Sequence, residues 1–160
     1  MIKVGPAGSG GLGNLEGVRK VARMGLDCME VEFTYGVRMS VDDARKVGAL
    51  AQEKDIILSV HAPYYINLAS DEKDKLAASK KRLIDSCERA HALGARCVVF
   101  HAGFYQEKTN AQTYGLIRKA ILEIQGVIKK RRWEVQLCPE ITGKPSQFGS
   151  VAELTRLMQD

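Results

Sequence analysis

The sequence predicts an α/β fold in which successive strand–helix repeats build one parallel sheet. Five short apolar runs alternate with five segments whose apolar residues recur three and four positions apart, the spacing of an amphipathic helix. The phrases MGLDCMEV and LGARCVVF repeat one pattern of helix end, glycine, polar residue and strand, which is typical of parallel α/β proteins. With 160 residues, 45% of them hydrophobic, the chain suits a single domain over residues 1–160.

Each predicted strand is a short apolar run followed by a helical stripe. The predicted strands cover residues 2–5, 28–33, 56–61, 96–101 and 133–138. The helical stripes that follow them begin at Leu15, Val41, Leu76, Ile117 and Val151. Ser40 and Ser70 are the predicted N-caps of the second and third helices, and Gly25 and Gly94 lie where helices should end.

Two arrangements of such repeats remain open at this level, an open doubly wound sheet and part of a (β/α)8 barrel. The glycine-rich loop GPAGSGGLGN does not decide between them. Its Gly8, Gly10 and Gly13 fit the G-x-G-x-x-G spacing, and Glu30 or Glu32 would supply the acidic residue of a dinucleotide site. The motif alone is weak, because many unrelated loops share this spacing.

Composition limits the classes of protein to consider. The net charge of +5 permits a polyanionic partner without requiring one. No apolar run approaches the ~20 residues of a membrane span, and the N-terminus lacks the apolar core of a signal peptide, so we expect a soluble cytoplasmic protein. The four cysteines form no C-x-x-C pair, and we expect them to be small buried side chains in a reduced compartment: Cys28, Cys87, Cys97 and Cys138.

Three successive predicted strands end in residues that commonly bind metals. His61 and His101 end the third and fourth strands, and Glu140 follows the fifth. The carboxyl ends of parallel strands meet at one edge of a sheet, so we expect these three side chains to converge. Two imidazoles and one carboxylate suit zinc or another divalent transition metal and leave a position for water. His91 lies within the third helix, and we interpret it as structural.

Aromatic and basic side chains follow the same strand ends. Tyr64, Tyr65 and Phe104 lie in loops beside the predicted metal ligands, where exposed rings would suit stacking on nucleic-acid bases. Three basic residues in loops after strands are the candidates for binding phosphate: Arg38, Lys108 and Lys144. The run KKRR at 129–132 is excluded, because it ends the fourth helix on the opposite side of the sheet, where it favours the helix dipole.

Three segments resemble the endonuclease IV family of zinc-dependent apurinic/apyrimidinic endonucleases, and their order in the chain follows that family. They are HAPYYINLAS at 61–70, FHAG at 100–103 and PEITGKPSQFGS at 139–150. The resemblance implies a (β/α)8 barrel that holds up to three zinc ions, with manganese as an alternative, and cleaves double-stranded DNA on the 5′ side of abasic sites.

The resemblance also assigns roles to individual residues. It implies that His61 and His101 are zinc ligands and that Glu140 is a catalytic carboxylate shared between metals. Tyr64 and Tyr65 occupy the loop that enters the DNA in that family, and Arg38 matches the loop after the second strand more weakly. We also place Lys144 among the DNA-binding residues, because it lies in the loop after the fifth strand.

The chain departs from the family in length. A (β/α)8 barrel has eight units, of which this sequence contains five, so the predicted fold is an incomplete TIM-type barrel. The later ligands of a three-metal centre are absent, since no histidine follows His101. An incomplete barrel has open sheet edges, from which we expect either self-association or a fragment of a longer protein.

Two other functions remain open. A xylose-isomerase-like sugar isomerase or epimerase would use the same fold, and Glu30 and Glu32 on the second strand would suit it. A metal-free partial barrel that acts as a binding module is the non-enzymatic alternative.

Overall fold

Residues 2–159 are described by a computed structural model of the chain, in which helices follow the strands of a parallel sheet. The helices are α1 Asn14–Arg23, α2 Val41–Glu53, α3 Lys73–Leu93, α4 Asn110–Arg131 and α5 Val151–Gln159. The strands are β1 Cys28–Glu32, β2 Ile57–His61, β3 Cys97–Phe100, β4 Gly103–Phe104, β5 Gln136–Pro139 and β6 Gln147–Phe148.

Four strands form the main sheet, in the order β1-β2-β3-β5 and with parallel neighbours throughout. The connections from β1 to β2, from β2 to β3 and from β3 to β5 contain α2, α3 and α4 respectively. The predicted α/β fold of parallel strand–helix repeats is therefore confirmed, as an open sheet in the part of the chain that the structure describes. Four of the five predicted strands overlap β1, β2, β3 and β5.

The first predicted strand, residues 2–5, is wrong. The segment has no strand assignment, although Asp27 N–H, just before β1, donates to the Val4 carbonyl, and Glu30 N–H in β1 donates to the carbonyl of Pro6, just after the segment. One isolated parallel bridge joins Ala7 to Glu30. Pro6 has no N–H to donate, so a regular ladder cannot continue through it.

The two faces of the main sheet differ in their burial. Side chains of one face pack under the helices and form the core, including Met29, Val31, Val60, Val98 and Phe100. Side chains of the other face alternate with these and remain partly exposed, and Ile57 is 54% exposed there. In a closed barrel this second face would point inward.

The helix ends test the predicted caps. Ser40 is the N-cap of α2 and accepts a hydrogen bond from the Asp43 N–H at 3.0 Å, as predicted. Gly94 is the C-cap of α3 with φ of 71°. The Ser70 prediction is wrong, because α3 begins at Lys73 with Glu72 as its N-cap, and the Ser70 hydroxyl accepts from the Glu72 N–H within the preceding loop.

A small antiparallel pair joins the loops after β3 and β5. β4 pairs with β6, so that Gly103 faces Phe148 and Phe104 faces Gln147. The Asn67 side chain in the loop after β2 accepts from the Phe104 N–H at 3.3 Å. These contacts fix three strand-end loops relative to one another.

A partly buried hydrogen bond helps to attach the α5 helix to this assembly. The Tyr105 hydroxyl donates to the Glu153 carboxylate at 2.7 Å. Burial, together with the Glu153 acceptor, raises the pKa of Tyr105 to about 12. Burial acts to raise the pKa of Glu153 as well, but hydrogen bonds from Tyr105, Ser150 and Gly149 outweigh it and lower that pKa. Within residues 2–159, the helices are too short or too polar to cross a membrane.

Gly103 is the position where a side chain should damage the loop assembly most. Its φ is 151°, and a Cβ there would lie 2.6 Å from Asn67 Oδ1. We expect Gly103→Ala to lower the free energy of unfolding by about 1–3 kcal/mol, the usual cost of a strained backbone residue. Urea denaturation monitored by circular dichroism measures this change.

Gly115 provides the matched control for that substitution. It lies inside α4, and a Cβ built there meets nothing within 4 Å. Gly115→Ala should raise the free energy of unfolding by about 0.5–1 kcal/mol, because alanine has the higher helix propensity. Equal effects at the two glycines would contradict the importance of the Asn67 contact.

Candidate metal centre and adjoining cavity

The carboxyl ends of β2, β3 and β5 bring His61, His101 and Glu140 together. The Glu140 Oε2 atom lies 3.3 Å from His61 Nε2 and 3.0 Å from His101 Nε2. The three ligand atoms all lie within 4.8 Å of one another. The strand register produces this arrangement, because Glu140 N–H donates to the Phe100 carbonyl and so continues the β3–β5 ladder by one residue.

The His61 ring is held in an orientation that suits a metal ligand. His61 is 8% exposed, and its Nδ1 atom lies 2.8 Å from the Ala62 carbonyl oxygen. A carbonyl only accepts, so Nδ1 is the donor in this contact, and Nε2 is left as the ring nitrogen that faces Glu140 and could bind a metal. Histidine ligands commonly donate their other ring N–H to such a carbonyl, which fixes the ring.

The separations within the triad fit a metal ion. Ligand bonds of 2.0–2.1 Å at a tetrahedral angle place neighbouring ligand atoms about 3.3 Å apart. The two measured nitrogen–oxygen distances, 3.3 and 3.0 Å, are close to that value. The donor set of two imidazoles and one carboxylate could hold zinc, and manganese or another divalent transition metal fits the same chemistry. Glu140 remains 47% exposed at its side chain, which leaves room for water or substrate.

Tyr64 packs against both histidines. Its ring lies 5.8 Å from the His101 ring in a stacked arrangement and 5.4 Å from the His61 ring in an edge arrangement. The Tyr64 N–H also donates to the Thr34 carbonyl at 3.4 Å, so the loops after β1 and β2 touch. Tyr64 therefore forms one wall of the triad and still exposes about half of its surface, 49%.

A cavity of about 900 Å³ opens on the other side of Tyr64. Tyr64, Tyr65 and Phe104 supply its aromatic surface, and His101 lies at its boundary with the triad. Ala78 and Ser79 on α3 are small residues that also line it. Its volume lies within the usual range for a small-molecule or nucleotide site.

Three cations line this cavity. Lys144 comes from the loop after β5, as the sequence predicted for a basic residue at this edge. Lys75 and Arg82 come from α3 and were missed by the sequence analysis, although their spacing of seven places them on one helix face. Arg82 also donates from Nη1 to the Tyr65 carbonyl at 3.1 Å, which connects α3 to the tyrosine loop. Asp74 is the acidic residue among the lining groups.

Two other predicted phosphate-binding residues are placed differently. Lys108 pairs with Asp71, and its side chain is only 11% exposed, which disfavours phosphate binding there. Arg38 lines a separate hollow of about 280 Å³ together with Glu32 and Tyr35. The structure thus brings Tyr64, Tyr65 and Lys144 around one cavity and leaves Arg38 outside it.

The glycine-rich loop faces a carboxylate. Gly8 has φ of 76°, which favours glycine, and a Cβ there would lie 2.7 Å from Glu32 Oε2. An anionic pyrophosphate would be repelled there, which counts against a dinucleotide site. Glu32 pairs with His61 in the strand register, and Glu30 accepts a hydrogen bond from the Ser59 hydroxyl at 3.1 Å on the open face of the sheet.

The basic run at residues 129–132 ends α4, before β5 begins, as the sequence predicted. The Arg131 guanidinium lies 5.6 Å from the centroid of the Trp133 ring, so this part of the run has a local packing partner. His91 is exposed and accepts from the Glu134 N–H at 3.4 Å, near the same end of the sheet.

The cysteines are less buried than the sequence suggested. Cys87 is fully buried in α3, and that burial raises the pKa of its thiol to about 12. Cys28, Cys97 and Cys138 are only partly buried, so the prediction of four buried side chains is wrong for these three. They belong to the face of the sheet opposite the core, because the strands alternate their side chains, and within residues 2–159 the helices pack on the other face.

Comparison with known proteins places this geometry in a family. A family model described as xylose isomerase-like TIM barrel matches residues 18–160. An uncharacterised protein of Methanocaldococcus jannaschii is 37% identical over 135 residues, which cover 84% of this chain and 48% of that protein. A probable endonuclease 4 of Mycoplasma pneumoniae is 29% identical over 113 residues, which cover 70% of this chain and 38% of that protein. The chain thus spans at most about half the length of these curated relatives.

Two solved structures illustrate the shared fold. A D-tagatose 3-epimerase-like protein superposes with a TM-score of 0.81 at 18% identity, over 99% of this chain and 61% of that one. Endonuclease IV from Thermus thermophilus superposes with a TM-score of 0.74 at 22% identity, over 97% of this chain and 57% of that one. At such identities the likeness concerns the fold alone.

Removing one member of the triad should weaken metal binding. We expect His101→Ala to reduce the affinity for zinc by at least about 100-fold, as measured by isothermal titration calorimetry. Loss of a residue that only hydrogen-bonds to a metal ligand already reduces metal affinity by about 10–100-fold, and loss of a ligand itself should cost more. His91→Ala is the control, since His91 lies at the opposite end of the sheet. Equal zinc affinity in the His101→Ala variant and the unmodified chain would contradict the assignment of the triad.

Proposed function

The chain belongs to the xylose isomerase-like TIM barrel family, whose members include endonucleases and sugar epimerases, and we propose that its site serves metal-dependent cleavage of DNA at abasic sites. The observation that supports this function best is the position of the His61–His101–Glu140 triad beside a cavity with both aromatic and cationic walls. The chain spans only part of the length of these relatives.

The triad supplies the reactive end of the proposed site. A bound zinc or manganese ion would polarise the phosphate and lower the pKa of a coordinated water. His61 and His101 would hold such an ion through Nε2, and the His61 ring is already fixed by the Ala62 carbonyl. Glu140 provides the carboxylate oxygen between the two rings and would act as the catalytic carboxylate.

The cavity supplies groups that bind a nucleic-acid strand. Tyr65 is 62% exposed and presents a free ring surface for stacking on a base, whereas Tyr64 is braced by the histidines and would keep its place when the strand enters. Lys144 on one side and Lys75 and Arg82 on the other would neutralise phosphates. Extrusion of a nucleotide costs least at a damaged position, which would favour lesions as substrates.

Arg38 would contact the DNA outside this cavity. It lies in the loop after β1, and that loop touches the tyrosine loop through the Tyr64–Thr34 hydrogen bond. A duplex that extends past the triad could therefore reach Arg38 as a second phosphate contact.

A sugar epimerase or isomerase is the second candidate function. The specific observation in its favour is the pair of carboxylates on β1, because Glu32 lies beside His61 in the register and Glu30 lies one layer below. A small polyol could bind across these carboxylates without using the exposed tyrosines.

One pair of assays separates the candidate functions. The chain, loaded with zinc or manganese, is incubated with a duplex that contains one abasic site and, in parallel, with a set of ketoses. We expect strand cleavage on the 5′ side of the lesion, lost in Glu140→Gln, and no change in the ketoses. Turnover of a ketose alone would favour the epimerase, and the absence of bound metal after dialysis would favour a binding module.

Lys144 allows a test of DNA binding that does not depend on cleavage. Lys144→Ala should weaken binding of the abasic duplex, and the slope of log affinity against log salt should decrease by about 1, because one phosphate contact is lost. Fluorescence anisotropy over a range of salt concentrations measures both changes.

Lys130→Ala is the control, since Lys130 lies in the last turn of α4. Lys130 carries the same charge as Lys144, but Lys130→Ala should change neither the affinity for the abasic duplex nor its salt dependence. The reverse pattern would place the DNA on the other end of the sheet.

A further inference from the structure

Two thiols meet on the open face of the sheet, below the triad. The Sγ atoms of Cys97 on β3 and Cys138 on β5 lie 2.6 Å apart, and both cysteines are in the free thiol form. Cys97 pairs with Gln136 in the register and Cys138 pairs with Val99, so the two cysteines are diagonal neighbours on the same side of adjacent strands. This separation is shorter than ordinary contact between two sulfur atoms and longer than a disulfide bond of about 2.05 Å.

We propose that Cys97 and Cys138 are a reversible dithiol–disulfide site that reacts with low-molecular-weight disulfides of the glutathione type. The proposal goes beyond the endonuclease function, because it needs neither a metal nor DNA. It rests on the proximity of the two sulfurs and on the partial exposure of both cysteines.

The reaction balances as two thiol–disulfide exchanges. One of the two sulfurs, as its thiolate, attacks the small disulfide, whose sulfur–sulfur bond breaks and releases one small thiolate that takes up the proton. The second cysteine sulfur then attacks the resulting mixed disulfide and displaces the other small thiolate, which takes up the second proton. Two protein thiols are oxidised, and one small disulfide is reduced to two thiols.

The geometry favours the second exchange over a lasting mixed disulfide. The resolving sulfur is already within 2.6 Å of the attacked one, so only a small movement is needed to form the bond. The new bond would join β3 directly to β5, four residues before His101 and two before Glu140. It would therefore fix the spacing of the two strands that carry two of the three residues of the candidate metal centre.

The other two cysteines are internal controls for access and proximity. Cys87 is fully buried in α3 and should not react in the folded protein. Cys28 is partly buried, like Cys97 and Cys138, but it lies on β1, with β2 between it and β3. Cys28 is therefore separated from the Cys97–Cys138 pair by a strand, and if it reacts with the small disulfide, it should stop at the mixed disulfide.

The test treats the folded chain with oxidised glutathione and measures intact mass and free thiols under non-reducing conditions. We expect the Cys97–Cys138 pair to lose both thiols with no glutathione added at either position, and peptide mapping should recover the β3 and β5 peptides joined. Cys97→Ser and Cys138→Ser should each retain a stable glutathione adduct on the remaining partner, whereas Cys28→Ser should still form the internal bond.

A second measurement keeps the test informative if a serine variant folds poorly. The oxidised chain should melt at a higher temperature than the reduced chain, and a reductant should reverse the shift, because the bond joins two strands that are far apart in sequence. Stable glutathione adducts on both Cys97 and Cys138, an internal bond to Cys28, or no loss of thiols at the pair would each overturn the proposal. None of these outcomes depends on whether the chain cleaves DNA.

Discussion

The parallel register of β1, β2, β3 and β5 is the constraint on which the other features depend. Parallel strands end at one edge, so residues that follow successive strands are brought together even though about 40 positions separate them in the chain. His61, His101 and Glu140 meet for this reason, and the hydrogen bond from Glu140 N–H to the Phe100 carbonyl carries the register beyond the last paired residues. A shift of one residue in any strand would turn its metal-binding side chain to the other face.

The same register also sorts the chemistry between the two faces of the sheet. Apolar residues such as Val60 and Val98 pack under the helices, and the polar and sulfur-containing residues alternate with them on the open face. The candidate metal ligands and the Cys97–Cys138 pair therefore share one surface.

The strand-end loops turn this edge into a shaped site. The Asn67 side chain, the β4–β6 pair and the contact between Arg82 and the Tyr65 carbonyl connect loops that follow three different strands and the α3 helix. Tyr64 is consequently fixed between the triad and the cavity. The proposed nuclease needs this combination, because the aromatic and cationic walls would position a phosphate next to the metal ligands.

The amino-acid pattern was sufficient for the fold class, for four of the five strands and for the three residues that form the triad. Apolar periodicity and the alternation of elements carry that information, since they reflect which face of each element is buried. The pattern failed at residues 2–5, where an apolar run looked like a strand but Pro6 prevents a regular ladder.

Other features were decided only when distant segments met in the tertiary structure. Lys108 forms an ion pair with Asp71. One face of α3 contributes Lys75 and Arg82 to the cavity. The strand register brings the Cys97 and Cys138 sulfurs together. Each of these contacts depends on which side chains become neighbours in space, and the local sequence around a residue does not reveal its distant neighbours. The physical reason is that strand register and helix docking, which set these neighbours, arise from packing across the whole sheet.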